Sequence, residues 1–364
     1  MPSKSTKKTP KVGNLEWAQP MGHDGWMEGL WRAAKADRLP HALMVQGPAG
    51  IGKFMAAKWV AAGLLCDSGP GAPCMQCGAC RRLRAKTHPD LLVVDAKASG
   101  MDALTVAFFA ERKEARTSGF QGMSVGEFLS LRSAEGGYRV VLVREAERMN
   151  LNAQNAFLKT LEEPAPGTVL IMETCMPARL LETIQSRVIM VRAGAPDANI
   201  AKTILHAHGV ESDDIDGLTR MAMGSPGRAL ELAQRSMPAM RDLLVRWAAG
   251  ELESVATRAA VMELSGKFPG KTPAAEARER AKSFLDLGLE VWRDAGRLDA
   301  GIARELLPHG ECLDPFVAYS DTDRTRALQV WMQVRQDVNL NLGAETLLDR
   351  ALLGSAPETK RVQR

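Results

Sequence analysis

Short apolar runs alternate with helical patterns along the first half of the chain. Arg139–Val143 and Thr168–Thr174 are runs of strand length, of the kind typical of strands buried on both faces of a parallel sheet. Residues 150–164 instead place apolar side chains three and four apart, as on one face of a helix. The alternation over 14–195 predicts an α/β domain, a parallel sheet with flanking helices.

The second half of the chain has helical spacing throughout. Pro196 marks a break, after which a small helical lid and then a longer all-α block are predicted. Both ends are polar, and the basic start has no apolar signal core after it, so we expect two disordered tails. The predicted parts are a basic tail (1–13), the α/β domain (14–195), the lid (196–250), the helical block (251–354) and a tail (355–364).

Composition narrows the class of protein only moderately. The chain is 45% hydrophobic and 25% charged, values that are ordinary for a globular protein. Its longest apolar run is too short to cross a bilayer, so the sequence predicts a soluble, cytoplasmic protein. A net charge of +4 allows contact with nucleic acid without requiring it. With only 5% aromatic residues, we do not expect a base-stacking platform.

A glycine-rich loop that follows an apolar run is the first candidate for chemistry. It carries Gly47, Gly50 and Gly52 and ends at Lys53. Such glycines let backbone N–H groups surround phosphates, the lysine reaches the outer phosphates, and a Ser or Thr after the lysine holds Mg²⁺. Here Phe54 takes that place. The loop therefore predicts that ATP or ADP can bind, but without efficient use of Mg²⁺.

The end of the Arg139–Val143 run carries the second part of such a site. In hydrolysing nucleotide-binding proteins, a metal-holding Asp stands there and a Glu that orients the attacking water usually follows. This chain has Arg144 and then Glu145. A cation about 4 Å from Mg²⁺ would be repelled by roughly 8 kcal/mol at an effective dielectric constant of 20. Two metal ligands are missing, so we expect ATP hydrolysis to be lost although Glu145 is retained.

Four cysteines lie close together in the sequence. Gaps of seven, two and two residues separate them, and four thiolates in a short loop of a reduced protein can close a tetrahedral Zn²⁺ site. The main alternative is an iron–sulfur cluster, but position 84, where the next cysteine of a ferredoxin pattern would stand, is Arg84. The predicted ligands of a structural zinc ion are Cys66, Cys74, Cys77 and Cys80.

Several short strings resemble one known family. They are Arg38-Leu-Pro-His-Ala before the loop, His88-Pro-Asp after the cysteines, Leu158-Lys-Thr-Leu-Glu-Glu-Pro, and Ser186-Arg187. Together with the cysteine loop they resemble the bacterial clamp loaders of the AAA+ class, and among these the delta-prime subunits of DNA polymerase III. The resemblance covers roughly residues 14–230 and implies an AAA+ core, a lid and a helical collar.

That resemblance implies roles for particular residues. Arg187 matches the arginine finger that reaches ATP bound by a neighbouring subunit, although Val188 replaces the cysteine usual in the family. Thr174 matches the first sensor and Arg228 the second. The alternative for Arg187 is a surface arginine beside a strand. An ordinary helix start, with Ser225 as its cap, explains the string around Arg228 equally well apart from Arg228 itself.

The family also implies partners and a process. Delta-prime subunits commonly have a damaged nucleotide site and work in a ring with ATPase subunits and a delta subunit, loading a sliding clamp onto primed DNA within the polymerase holoenzyme. This implies that the isolated chain is inactive as an ATPase. Two alternatives stay open, namely an ATP-hydrolysing gamma/tau-like subunit and a zinc-dependent nucleic-acid-binding module with Arg81, Arg82, Arg84 and Lys86. No role follows for the segment 98–121.

Overall fold

A computed structural model of the chain describes residues 17–110, 122–135, 137–210, 212–340 and 342–356. The chain forms two compact units, Met1–Ile200 and Ala201–Arg364. The predicted N-terminal tail, most of the predicted C-terminal tail and residues 111–121 lie outside the described residues. Ser355, assigned to the tail from the sequence, is buried and accepts a hydrogen bond from Trp331 at 2.9 Å.

The first unit is an α/β domain built on one parallel sheet. Its helices and strands alternate along the chain, as the pattern of apolar runs predicts. The elements are α1 (Asp24–Lys35), β1 (Ala42–Gln46), α2 (Lys53–Leu64), α3 (Gly78–Arg84), β2 (Leu91–Val94), α4 (Val125–Ser130), β3 (Arg139–Val143), α5 (Leu151–Glu162), β4 (Thr168–Thr174), α6 (Glu182–Gln185) and β5 (Ile189–Arg192). The strand order is β2-β3-β4-β1-β5.

Alternate residues of each strand enter two separate cores, because successive side chains point to opposite faces of a sheet. Leu43 and Val45 of β1 pack with α1 and α2, whereas Met44 packs on the other face with Phe157 of α5. The predicted strands at Arg139–Val143 and Thr168–Thr174 are confirmed with the same bounds. The short strand β2 was not predicted.

The register of the central strands positions the candidate site. In the parallel pair of β1 and β4, Val45 lies opposite Glu173, and Gln46 lies opposite Thr174. The carboxyl ends of both strands therefore meet at one edge of the sheet. The glycine loop that leaves β1 begins at this edge, beside the last two residues of β4.

The second unit is helical. Its helices are α7 (Ala198–Ala207, which begins just before the boundary), α8 (Ser212–Met221), α9 (Pro226–Gln234), α10 (Met237–Ala249), α11 (Ser254–Glu263), α12 (Pro273–Asp299), α13 (Asp314–Val317), α14 (Asp321–Asp337) and α15 (Ala344–Gly354). This confirms the predicted fold class, an α/β core followed by helices.

Two hydrophobic clusters hold the second unit together. The smaller one includes Leu205 and Leu218, and the larger one surrounds the fully buried Trp331. Met240 and Leu244 of α10 belong to the larger cluster, so the last helix of the predicted lid packs with the helical block. The division of this half at residue 250 stays a prediction.

Candidate functional site

The glycine loop between β1 and α2 has the backbone that its sequence predicts. Gly50 and Gly52 have φ values of 77° and 92°, in the left-handed region that favours glycine. Gly47 is packed so closely that a Cβ atom there would lie 2.0 Å from the carbonyl oxygen of Ala193. Its N–H donates to the carbonyl of Thr174 at 3.2 Å. The loop is therefore tied to the carboxyl edge of the sheet.

Lys53 is buried at the end of this loop and has partners inside the protein. Its Nζ donates to the carbonyl of Pro48 at 2.8 Å and lies 3.6 Å from Oε2 of Glu173. The two side chains are only 4% and 8% exposed. Burial raises the pKa of Glu173, while the amide of Glu145 and the ammonium of Lys53 oppose that rise. Sequence reasoning missed Glu173, whose signal is a carboxylate in an apolar strand.

The two residues that replace metal ligands contact each other. The guanidinium of Arg144 lies 5.1 Å from the centre of the Phe54 ring, within the range of a cation–π interaction. Its Nη1 also pairs with Oδ2 of Asp95 at 3.0 Å. The place expected for Mg²⁺ ligands thus holds an aromatic ring and a cation, and the nearby carboxylate of Asp95 already has a positive partner.

Glu145, the predicted water-orienting residue, is held by two cations. Its Oε1 accepts from Lys97 at 2.9 Å, and its Oε2 pairs with Arg148. Burial alone would raise the pKa of Glu145, but the hydrogen bonds from Lys97 and Arg148 outweigh burial and lower it. Its carboxylate is therefore an anion with a cation already in contact with each of its two oxygens.

Thr174, the predicted first sensor, lies where the resemblance implies, at the end of β4. The residue is fully buried. Its Oγ1 accepts the N–H of Met176 at 3.0 Å, which stabilises the turn after the strand. A structural role explains this hydroxyl, and its role as a sensor stays a prediction.

Arg187, the predicted arginine finger, lies directly after α6. Its Nη2 is 2.9 Å from Oε1 of Glu162, and its Nη1 donates to the carbonyl of Thr183 at 2.9 Å. The side chains of Arg187 and Glu162 are 37% and 50% exposed. Ion pairs between side chains this exposed are weak. The guanidinium of Arg187 can therefore leave Glu162 and pair with another anion.

Arg228, the predicted second sensor, pairs with the helical block. Its Nη2 lies 3.5 Å from Oε1 of Glu290 on α12. The hydroxyl of Ser225 accepts the N–H of Arg228 and caps α9, with Pro226 in the first turn. A hydrogen bond from His309 lowers the pKa of Glu290, in spite of its burial. The string around Arg228 thus builds a helix start, and its sensor role is untested.

The four cysteines predicted as metal ligands converge. Their sulfur atoms all lie within 4.8 Å of one another, and three of the separations are 3.7, 3.8 and 4.0 Å. Four thiolates around one Zn²⁺ at about 2.3 Å in tetrahedral geometry are about 3.8 Å apart. In an iron–sulfur cluster the thiolates bind different irons and spread further apart. These residues could therefore hold a single metal ion: Cys66, Cys74, Cys77 and Cys80.

Backbone amides support these sulfurs. The N–H of Cys77 donates to Cys74 at 3.4 Å, and the N–H of Cys80 donates to Cys77 at 3.3 Å. Hydrogen bonds from the amides of Gln76 and Cys77 lower the pKa of Cys74 to about 6. Burial raises the pKa of Cys80. A metal ion would favour the thiolate at all four positions, because it binds the deprotonated form.

At least two of the basic residues next to the cysteines have partners inside the protein. Arg82 forms an ion pair with Glu135, and Nε of Arg81 donates to the carbonyl of Gln76 at 3.0 Å. Arg84 and Lys86 are exposed. This arrangement agrees better with a solvated helix face than with a nucleic-acid-binding surface.

Among the described residues, no helix is long and apolar enough to span a membrane. A parallel sheet with a glycine loop after β1, followed by a helical unit, is the arrangement of AAA+ proteins. Residues 22–196 match the family model described as DNA polymerase III, delta subunit. Over about half of its length the chain is therefore similar to bacterial DNA polymerase III delta-prime subunits.

Curated relatives agree with this family. The delta-prime subunit of Pseudomonas aeruginosa is 36% identical over 57% of this chain and 55% of its own length. The delta-prime subunit of Escherichia coli is 34% identical over 57% of this chain and 58% of its own length. The tau subunit of Escherichia coli is 28% identical over 61% of this chain and 33% of its own length. The chain spans about half the length of the curated delta-prime relatives it matches.

Proposed function

We propose that this chain is a largely non-hydrolysing ring member of a DNA polymerase III clamp loader. In this role it works with ATPase subunits and a delta subunit, and it supplies Arg187 to ATP held by its neighbour while a sliding clamp is loaded onto primed DNA. The observation that carries the proposal is the contact between Phe54 and Arg144, which fills both metal-ligand positions with groups that cannot bind Mg²⁺.

Other contacts at the same edge support the loss of hydrolysis. Glu145 is engaged by Lys97 and Arg148, so the residue that would orient water already pairs with two cations of the protein. Asp95, an acid near Arg144, is neutralised by that arginine. A water molecule positioned without a metal ion is a weak nucleophile, and the chemistry therefore belongs to a neighbouring subunit.

The environment of Arg187 suits a residue that acts in trans. Its guanidinium is partly exposed and pairs with a half-exposed carboxylate, Glu162. A phosphate of a neighbouring ATP presents oxygens that a guanidinium can bind in a bidentate manner, and it carries more negative charge than a carboxylate. Arg187 can therefore exchange Glu162 for the phosphate when a neighbour binds, and stabilise charge as it develops in the transition state.

The four cysteines are proposed to hold a structural Zn²⁺ ion. All four ligands would come from the protein, so the site would have no open position for a water molecule or a substrate. Bound zinc would fasten the loop between α2 and α3. Its contribution is to the stability of the first unit and not to the chemistry at the nucleotide.

The proposal is tested with the full chain assembled with partner ATPase subunits and primed DNA. For Arg187→Ala, we expect ATP turnover at the neighbouring site to fall by about 10³- to 10⁵-fold, the usual contribution of an arginine finger. Arg192→Ala, which removes another exposed arginine of the same region, should retain normal turnover. Equal turnover by the Arg187→Ala and unaltered chains would refute the role of Arg187.

A further inference from the structure

The lysine of the glycine loop is neutralised by the protein itself. Nζ of Lys53 lies between the carbonyl of Pro48, at 2.8 Å, and Oε2 of Glu173, at 3.6 Å. Burying a lysine ammonium without an anionic partner is costly. In a phosphate-binding loop, that partner is expected to be a phosphate of the ligand. Among the described acids, Glu173 is the one that lies within 4 Å of Lys53.

The sheet directs Glu173 to this position. Val169 and Ile171 of β4 face the core that contains α2, and side chains two residues apart lie on the same face of a strand. Glu173 continues this stripe at the end of β4, directly opposite Val45. The carboxylate thus lies at the end of the stripe that faces α2, the helix that begins with Lys53.

A second contact keeps the carboxylate in place. Oε1 of Glu173 accepts the N–H of Glu145 at 2.9 Å, while Oε2 faces Lys53. The carboxylate is therefore fixed at both oxygens and 8% exposed. It does not need to move to satisfy the lysine, and it leaves little unbalanced positive charge at the end of the loop.

We propose that Glu173 is an internal counter-anion that takes the place of a nucleotide phosphate at Lys53 and excludes nucleoside di- and triphosphates from the loop. A phosphate that approached Lys53 would meet a fixed negative charge a few ångströms away. The inference rests on the proposed assignment of residues 47–53 as a phosphate-binding loop. It identifies Glu173 as the residue that determines whether the loop accepts a ligand.

Two nearby acids, Glu147 and Asp95, have other partners and do not neutralise Lys53. Glu147 is buried too, but its Oε1 accepts the N–H and the thiol of Cys175, at 3.4 and 2.8 Å. Asp95 pairs with Arg144. Glu147 is therefore a matched control for Glu173, because it carries the same charge in the same region without contacting Lys53.

The test measures binding of ADP and ATP to the purified full chain by titration calorimetry, with and without Mg²⁺. We expect no saturable binding by the unaltered chain. Glu173→Gln should bind at least about 100-fold more tightly than the weakest affinity that the titration detects, because one negative charge near the phosphates is removed. Glu147→Gln should behave like the unaltered chain. Adding Lys53→Ala to Glu173→Gln should abolish the gained binding.

Thermal unfolding in the presence of ADP gives a second measurement. A ligand that binds the folded state raises Tm, so ADP should raise Tm for Glu173→Gln and not for the unaltered chain. If Glu173→Gln does not fold, Glu173→Ala is measured in its place. Equal affinity for the unaltered chain and the Glu173 variant, or no gain by a folded variant, overturns the inference.

This outcome is separable from that of the Arg187 experiment. Nucleotide binding is measured on the chain alone, whereas the arginine finger is measured through turnover by a partner subunit. Failure of the Glu173 test leaves the role of Arg187 intact. Failure of the Arg187 test leaves the exclusion of nucleotide by Glu173 intact.

Discussion

At the scale of single residues, the acid of one string that resembles the clamp-loader family has a structural role. Asp90 of the His88-Pro-Asp string is fully buried, and its carboxylate accepts the N–H of Ala134 at 2.9 Å and that of Glu135 at 3.0 Å. Nε of Arg139, also buried, lies 3.7 Å from it. These contacts hold the segment before β3 against the start of β2. They explain why an acid is buried here without any role in catalysis.

Replacing this acid should cost much of the stability of the first unit. In Asp90→Asn, Arg139 keeps its charge without a charged partner, and breaking a buried pair in this way costs about 3–5 kcal/mol. Urea unfolding should show this loss in the free energy of unfolding. Asp102→Asn, at an exposed acid, should change it by no more than about 0.5 kcal/mol. Similar values for both variants would contradict the anchor.

At the scale of elements, the cysteine loop joins two helices of the first unit. Cys66 follows the end of α2, and Cys80 lies within α3, which Cys77 caps by accepting the N–H of Cys80. The loop between them folds around four convergent sulfurs. A bound metal ion would hold this segment in one conformation, because binding to the folded site adds directly to folding free energy.

Metal content and metal removal test that role. We expect about one zinc ion per chain by native mass spectrometry, following the four-thiolate geometry, and loss of the ion in Cys80→Ser. Cys312→Ser, at a cysteine of the second unit, should retain the metal. A strong chelator should lower Tm by about 2–4 °C for each kcal/mol of stability lost. A chain that folds with no metal, and with Tm unaffected by chelator, would contradict the proposal.

Two glycines of α12, in the second unit, differ in how closely their surroundings are packed. Gly288 of α12 faces the buried ring of Trp331, and a Cβ at that position would lie 1.9 Å from the ring. Gly296 of the same helix has open space around it. Glycine is required at position 288 because α14 packs closely against it. At position 296 glycine only lowers the helix propensity.

Substituting both glycines should therefore give opposite signs. Gly288→Ala forces the Trp331 ring to shift and should destabilise the protein by at least about 1–3 kcal/mol. Gly296→Ala should stabilise it by about 0.5–1 kcal/mol, because alanine favours the helix. Chemical denaturation followed by tryptophan fluorescence measures both. Destabilisation by Gly296→Ala, or none by Gly288→Ala, would show that α12 does not pack against Trp331 in this way.

At the scale of the whole molecule, the chain combines an α/β core that carries a glycine loop with an aromatic ring and a cation at the place expected for Mg²⁺ ligands. The cation–π contact between Phe54 and Arg144 and the pair between Lys53 and Glu173 each oppose a different step. We propose that the first prevents Mg²⁺ binding and that the second competes with phosphate. Both must be reversed before the chain can act as an ATPase, so the gamma/tau-like alternative requires more than one rearrangement.

We therefore expect the purified chain alone to lack ATPase activity. Turnover with ATP and Mg²⁺ should equal that of Lys53→Ala, because Phe54 and Arg144 stand where a Ser or Thr and an Asp would hold Mg²⁺. A coupled assay for ADP release measures this, with the partner ATPase subunits as the positive control. Mg²⁺-dependent turnover that Lys53→Ala abolishes would favour the gamma/tau-like alternative.

Much of the fold was predictable because its signals are local. The apolar runs of β3 and β4 and the spacing of α5 depend on neighbouring residues. The predicted bounds of both strands agree with the structure, and α5 lies within the predicted segment 150–164. The cysteines were predictable for the same reason, since four ligands within fifteen residues can meet without help from the rest of the chain. The strand β2 escaped prediction because its four residues are too short a pattern.

The sequence by itself determined the α/β core, the glycine loop, the missing metal ligands and the set of four cysteines. Tertiary structure alone decided which charges meet, as in the pairs of Lys53 with Glu173 and of Arg187 with Glu162. The members of these pairs are far apart along the chain and come together through strand register and helix packing. Periodicity and motifs describe neighbours in sequence, whereas electrostatic contacts depend on neighbours in space.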